Sequence, residues 1–118
     1  MINQVHIDGK VIGPGQPTYV IAEAGVNHKG SLEAAHRMID EARRAGADAI
    51  KFQTYKAEKL VTRTAPRYWD DPEASGTQYA IFKRSDAFGE AEYRALYEHA
   101  RSVGITWLST PFDLDAVR

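Results

Sequence analysis

A run that is apolar on both faces, Tyr19-Val20-Ile21-Ala22, is followed after a polar stretch by a helical stripe in which Leu32, Ala35, Ile39 and Ala42 recur at spacings of three and four. That order constrains the chain more than any other feature. A strand buried on both faces belongs in a parallel sheet, and parallel neighbours need a crossover between them, usually a helix. The order then repeats. Residues 47–54 read as a second strand and Ile105-Thr106-Trp107-Leu108-Ser109 as a third, with a helix predicted over 90–103 between them. Its stripe is Tyr93, Leu96, Tyr97, Ala100 and Val103. Ser31 is placed to cap the first helix, Ala45-Gly46 to end it and Gly104 to end the second. Leu114-Asp115-Ala116-Val117-Arg118 reads as the first turn of another helix.

Ahead of these units, Val5-His6-Ile7 and Lys10-Val11-Ile12 flank Asp8-Gly9, a strong hairpin signal, and Gly13-Pro14-Gly15-Gln16-Pro17 breaks it. The class is therefore α/β with a parallel sheet: a hairpin over about 1–17, then about three βα units over 18–118. An eight-unit barrel takes roughly 250 residues. The 118 residues are thus expected to be a portion of such a domain. After Thr54 comes a connection of about 35 residues, with turn formers Pro66, Asp70-Asp71-Pro72 and Ser75-Gly76 and a short helical piece over 78–83. Connections of that length are more often functional than idle.

Composition narrows the function. Fifteen Lys+Arg against sixteen Asp+Glu leave a net charge of -1, without the basic footprint of a nucleic-acid binder, so a small anion must be held locally. No apolar run exceeds four residues, and Met1-Ile2-Asn3-Gln4 has no leader character, so a cytoplasmic protein without membrane partners is expected. The absence of cysteine excludes disulfides, a thiolate nucleophile and Cys-ligated zinc. Any metal would rest on His, Asp and Glu, and His6, His28, His36 and His99 lack the spacing of a metal pair.

Chemistry gathers at the strand ends, where parallel α/β folds carry their sites. Glu23-Ala24-Gly25-Val26-Asn27-His28-Lys29-Gly30-Ser31 ends the first strand. Glu23 either points at substrate or pairs with a neighbouring lysine. Lys51-Phe52-Gln53-Thr54 ends the second; Ile50 and Phe52 share one face, and Ala49, Lys51 and Gln53 the other. Lys51 and Gln53 beside Glu23 would give a cation, an amide and a carboxylate suited to an anionic, hydroxyl-bearing substrate, or Lys51 is only the counterion of Glu23. Ser109-Thr110-Pro111-Phe112 ends the third strand, either a phosphate-accepting turn or an ordinary loop opening. His28 is the histidine placed to approach a ligand, with capping or loop packing as the alternative; His36 and His99 fall mid-helix. Arg63, Arg67, Tyr68 and Trp69 either close over a sugar or pack on a neighbouring subunit.

Taken together, the nonapeptide from Glu23, Lys51-Phe52-Gln53-Thr54, Lys59-Leu60-Val61-Thr62 and Leu108-Ser109-Thr110-Pro111-Phe112-Asp113 closely resemble the N-terminal part of the sialic acid synthase family, which includes the synthases of N-acetylneuraminate, legionaminate and pseudaminate. The resemblance runs from Tyr19 onward. It implies a TIM (β/α)8 barrel, usually followed by a small antifreeze-like domain, in a homodimer. It implies a transferase that condenses phosphoenolpyruvate with the open-chain aldehyde of an N-acylated amino sugar such as N-acetylmannosamine, releasing phosphate. By motif match, Lys51 and Thr110 would bind phosphoenolpyruvate with Ser109 beside them, Gln53 and Asn27 would contact substrate, and Glu23 would position the sugar and move protons. Phe112 would wall the pocket. The family's divalent metal, Mn or Mg, would take its ligands from later strands, so residues 1–118 alone are expected to be inactive. The other class of reading is a non-catalytic module, derived from such a barrel, that binds an anionic metabolite or regulates a synthase.

Overall fold

In the computed structural model, which describes residues 3–70, 72 and 76–118, the chain opens with an antiparallel ribbon of β1 (Val5–Ile7) and β2 (Lys10–Ile12). Asp8 and Gly9 both take positive φ, 49° and 80°, the conformation a tight two-residue hairpin demands. Three parallel strands follow in the order β3 (Ile21–Gly25), β4 (Ala49–Thr54), β5 (Thr106–Pro111). Helix α1 (Leu32–Arg44) links β3 to β4. A long excursion carrying α2 (Ala57–Leu60) and α3 (Gln78–Ser85), then α4 (Glu90–Val103), links β4 to β5; a last turn, α5 (Leu114–Val117), follows.

The helix ends obey local chemistry. The Ser31 hydroxyl accepts from the Ala34 N–H, Gly46 takes φ +83° just past α1, and Gly104 closes α4 in the left-handed region. The periodicity of α1 and α4 places Ala35, Ile39, Leu96 and Ala100 out of solvent against Ile50 and Phe52 of β4, and these form the core with Phe88 and Ile105. Burying a phenylalanine of this kind stabilises by about 1.5–3 kcal/mol. Tyr97, expected in the α4 stripe, is instead 45% exposed.

Several elements differ from the sequence reading. The first strand begins at Ile21 and runs through Glu23 to Gly25, because the Val20 carbonyl is taken by the Asp48 and Ala49 N–H groups and regular pairing starts only beyond it. It is not buried on both faces: Val20 and Ile21 are exposed, since β3 has no neighbour on its outer side among the described residues. The third strand runs on through Thr110 and Pro111, residues expected in a loop, and beyond it the Phe112 N–H reaches the Thr54 carbonyl. Helix α2 had no signal in the sequence. The turn positions Asp71 and Ser75, like Met1 and Ile2, lie outside the described residues.

The amino end of the sheet is tied to the hairpin. Lys10 pairs with Asp48, whose second oxygen accepts from the Val20 N–H at 2.7 Å, and Thr106 donates to Asp8 at 2.8 Å. The radius of gyration is 16.3 Å, against about 13.5 Å for a closed domain of this length.

Candidate active site

The parallel register sets Glu23 opposite Lys51 and Lys51 opposite Leu108, with Gln53 opposite Thr110. Alternation along each strand therefore puts Glu23, Lys51, Gln53 and Thr110 on the sheet face away from α1 and α4. There the Lys51 Nζ lies 3.0 Å from Glu23 Oε2, with the two side chains 36% and 51% exposed. Neither has another polar partner among the described residues.

Between Glu23 and Gly25 the β3–β4 register slips, and Gly25 sits at φ +54°. A Cβ on Gly25 would lie 3.4 Å from Glu23 Oε1 and 3.8 Å from Gln53 Oε1. The bulge thus brings the carboxylate and the carboxamide together over bare backbone, next to the ammonium. Such a set can hold an anion through Lys51, orient hydroxyls through Gln53 and move a proton through Glu23.

Other candidates fall elsewhere. Ser109 is opposite Phe52, on the helix-covered face, and its hydroxyl is 2.6 Å from that of Thr54. The neighbouring hydroxyls of Ser109 and Thr110 thus point to opposite sides of the sheet. Phe112 is 45% exposed beyond the end of β5, edge-on to Tyr55 at 5.7 Å. Asn27 is exposed in the loop after β3 and lines a shallow groove along α1 with Ala24 and Met38. His28 is 2% exposed and packs in its loop, the less chemical of its two readings. Its Nδ1 accepts from the Gly30 N–H at 3.1 Å, and burial holds its pKa below the usual imidazole value. His99 meets Asp40 at 2.7 Å across α1 and α4, with its ring 4.7 Å from that of His36.

The excursion packs on itself. Tyr68 and Trp69 contact Phe82 of α3, Phe82 contacts Tyr55, and Arg63 lies over the Tyr79 ring. Burial pushes the Tyr55 phenol up to about 12, so it stays neutral. Sequence reasoning missed the clasp at the base. Lys56 donates to the Asp86 and Phe88 carbonyls at 2.7 and 2.8 Å, while the buried Asp86 carboxylate accepts from the Ala57 N–H at 2.7 Å. Asp86 looks like any polar loop residue in the sequence; only its partner 29 positions away gives it meaning. The hydroxyl of Tyr93, a residue of the α4 core stripe, also donates to the Gln53 carbonyl at 3.3 Å.

The chain is similar to several known proteins. The NeuB family model matches residues 38–118. The chain is 39% identical over 108 residues to N,N'-diacetyllegionaminic acid synthase of Legionella pneumophila, covering 89% of this chain and 30% of that protein. It is 37% identical over 110 residues to human N-acetylneuraminate-9-phosphate synthase, covering 92% and 31%. The crystal structure of N-acetylneuraminic acid synthetase from Leptospira borgpetersenii superposes with a TM-score of 0.75 at 35% identity, over 97% of this chain and 36% of that one. The chain thus spans about a third of the length of the relatives it matches. No described helix is long and apolar enough to cross a membrane.

Proposed function

The chain belongs to the NeuB family, and we propose that residues 1–118 form the first three βα units of a TIM (β/α)8 barrel in a synthase that condenses phosphoenolpyruvate with an N-acylated amino sugar. A condensation-type role in carbohydrate biosynthesis follows from its relatives, which are sialic acid, legionaminic acid and pseudaminic acid synthases. The observation that carries the finer reading is the Lys51–Glu23 pair at 3.0 Å, half-exposed on the open face of the sheet with the Gln53 carboxamide toward its carboxyl end. The two free sheet edges are where the remaining units of a barrel would attach.

In this reading Lys51, with Thr110 on the same face, holds the anionic groups of phosphoenolpyruvate. Gln53 orients hydroxyls of the open-chain sugar. The enol carbon of phosphoenolpyruvate bonds to the aldehyde carbon, whose oxygen takes a proton, and the oxocarbenium-like centre left behind is captured by water. The resulting tetrahedral carbon expels inorganic phosphate to give the 2-keto acid. Glu23 accepts and returns the protons these steps move.

Among the described residues no group of three His, Asp or Glu side chains could hold a metal ion. The divalent cation implied by the family resemblance therefore does not fit these residues, and its ligands would come from later strands. A cytoplasmic homodimer completes the reading. The test is phosphate release from phosphoenolpyruvate by the full-length protein with N-acetylmannosamine and related N-acyl amino sugars. Release that requires the sugar supports the synthase. Phosphoenolpyruvate binding without turnover, with every such sugar, overturns it in favour of a metabolite-binding module.

A further inference from the structure

His28 does something a packing residue need not do. Its ring lies nearly parallel to that of Phe88, with 8° between planes and 4.3 Å between centroids, and tilts against Phe52 at 6.0 Å. A phenylalanine would stack there equally well and would carry no polar atoms. The imidazole instead leaves Nε2 out of solvent without a partner among the described residues, an arrangement that costs stability. What it adds is the acceptor at Nδ1, which takes the Gly30 N–H at 3.1 Å. A nitrogen that accepts carries no proton, so the ring is the neutral Nε2–H tautomer.

That hydrogen bond spans a strained turn. Lys29 takes φ +50° and Gly30 φ +78°, two successive left-handed residues of which only the second is glycine. Chained turns run through the loop, from Asn27 N–H to the Ala24 carbonyl, Lys29 to Val26, and Ser31 to His28. The conformation fixed at residues 28–30 is thereby passed back to Ala24 and the Gly25 bulge beside Glu23. The ring's seat is equally fixed. The Phe88 carbonyl accepts from Lys56, and its ring meets Tyr93 edge-on at 5.8 Å, the tyrosine that donates to the Gln53 carbonyl. Gly30 itself rests on Ala87, where a Cβ would come within 3.1 Å. Through Phe88 and its neighbours the loop after β3 is joined to the strand end that carries Lys51 and Gln53.

We propose that His28 is a positioning residue: as a neutral Nε2–H imidazole seated on Phe88, it uses its Nδ1 acceptor to hold residues 24–30 in register with the end of β4, so that Glu23, Gly25 and Asn27 meet substrate in one arrangement. The inference rests on the synthase reading only for the identity of that substrate.

Two variants of the full-length protein separate its two contributions. His28→Phe keeps the stack and removes the acceptor; His28→Asn keeps an acceptor near Nδ1 and removes the ring. The expected result for His28→Phe is a melting temperature close to wild type with KM for the amino sugar raised about tenfold and KM for phosphoenolpyruvate and kcat within about twofold, since one loop hydrogen bond is lost while Glu23 and Lys51 stay on their strands. His28→Asn is expected to melt earlier and to keep both KM values near wild type. KM changes that track the melting temperature in both variants, or a wild-type KM for the amino sugar in His28→Phe, overturn the proposal. Nitrogen-detected NMR of the wild-type imidazole decides the matter even where His28→Asn fails to fold: a protonated Nδ1 at neutral pH contradicts the proposal. If no amino sugar supports turnover, the synthase reading has failed. The tautomer, together with the hydrogen-exchange protection of Gly30 in wild type and its loss in His28→Phe, then still tests the role of His28.

Discussion

Two lysine–carboxylate pairs on the sheet, Lys10–Asp48 at its amino end and Lys51–Glu23 further along its open face, are built differently. At the amino end Asp48 receives Lys10 on one oxygen and the Val20 N–H on the other, and the Lys10 hydrogen bond and then the Val20 N–H hold its carboxyl below the usual aspartate range. Its acceptor capacity is directed into the fold, where it fastens the hairpin to the start of β3. On the open face, Lys51 and Glu23 have only each other among the described residues and stand half-exposed beside a glycine bulge. The difference separates a pair that closes structure from one that leaves donors and acceptors open for a ligand. An exposed ion pair contributes about 0–1 kcal/mol to stability, so stability alone gives little reason to set Lys51 and Glu23 where they are.

The strongest way to break this contrast is to remove one charge from each pair in the full-length protein. Lys51→Ala or Glu23→Gln is expected to lower kcat/KM about a hundredfold or more while changing stability by under about 1 kcal/mol, measured by phosphate release and thermal melting. Lys10→Ala or Asp48→Asn is expected to do the reverse, lowering the melting temperature with kcat/KM within about twofold of wild type. Equal activity losses for the two pairs would remove the distinction.

A smaller effect is expected at the bulge. Gly25→Ala puts a methyl 3.4 Å from Glu23 Oε1 on a residue held at φ +54°. It should cost about 1–2 kcal/mol of stability and reduce kcat/KM about tenfold. An unchanged kcat/KM would show that Glu23 does not depend on the backbone beneath it.

Much of this was legible in the sequence. Lys51 and Gln53 could be assigned to one face by alternation, and the opposing pattern of Ile50 and Phe52 fixed which face looks inward to the core. Glu23 was recognisable by the motif it opens, although β3 runs on beyond it to Gly25. Ser109 was not separable from Thr110, because their sides of the sheet depend on strand β5 continuing to Pro111, two residues beyond the expected strand end at Ser109. Nor was the Lys56–Asp86 clasp, which joins residues 30 positions apart through backbone carbonyls that leave no trace in side-chain pattern. The exposure of Val20 and Ile21 likewise depends on a missing neighbour, a fact outside the strand's own sequence.

The smallest expected effect is a pH dependence that again distinguishes the two ends. Burial lowers the His28 pKa from 6.5, so the unfolded chain takes up that proton at higher pH than the folded one. Its contribution is complete above 6.5 and is lost as pH falls from there toward the lowered folded value. For Asp48, lowered from 3.8, the contribution is complete above that value and lost only as pH falls through its folded pKa. Hydrogen exchange followed downward from neutral pH is therefore expected to show residues 26–31 loosening before the hairpin. The opposite order would show that His28 is not held neutral by its surroundings.

The most direct test of the central claim is calorimetric titration of phosphoenolpyruvate into the full-length protein, wild type against Lys51→Ala and Lys10→Ala. The expected result is affinity lowered about a hundredfold by Lys51→Ala and unchanged by Lys10→Ala, as one lost charge-assisted contact of roughly 3 kcal/mol requires. Wild-type affinity in Lys51→Ala would contradict the account, because the Lys51–Glu23 pair would then be one more structural ion pair.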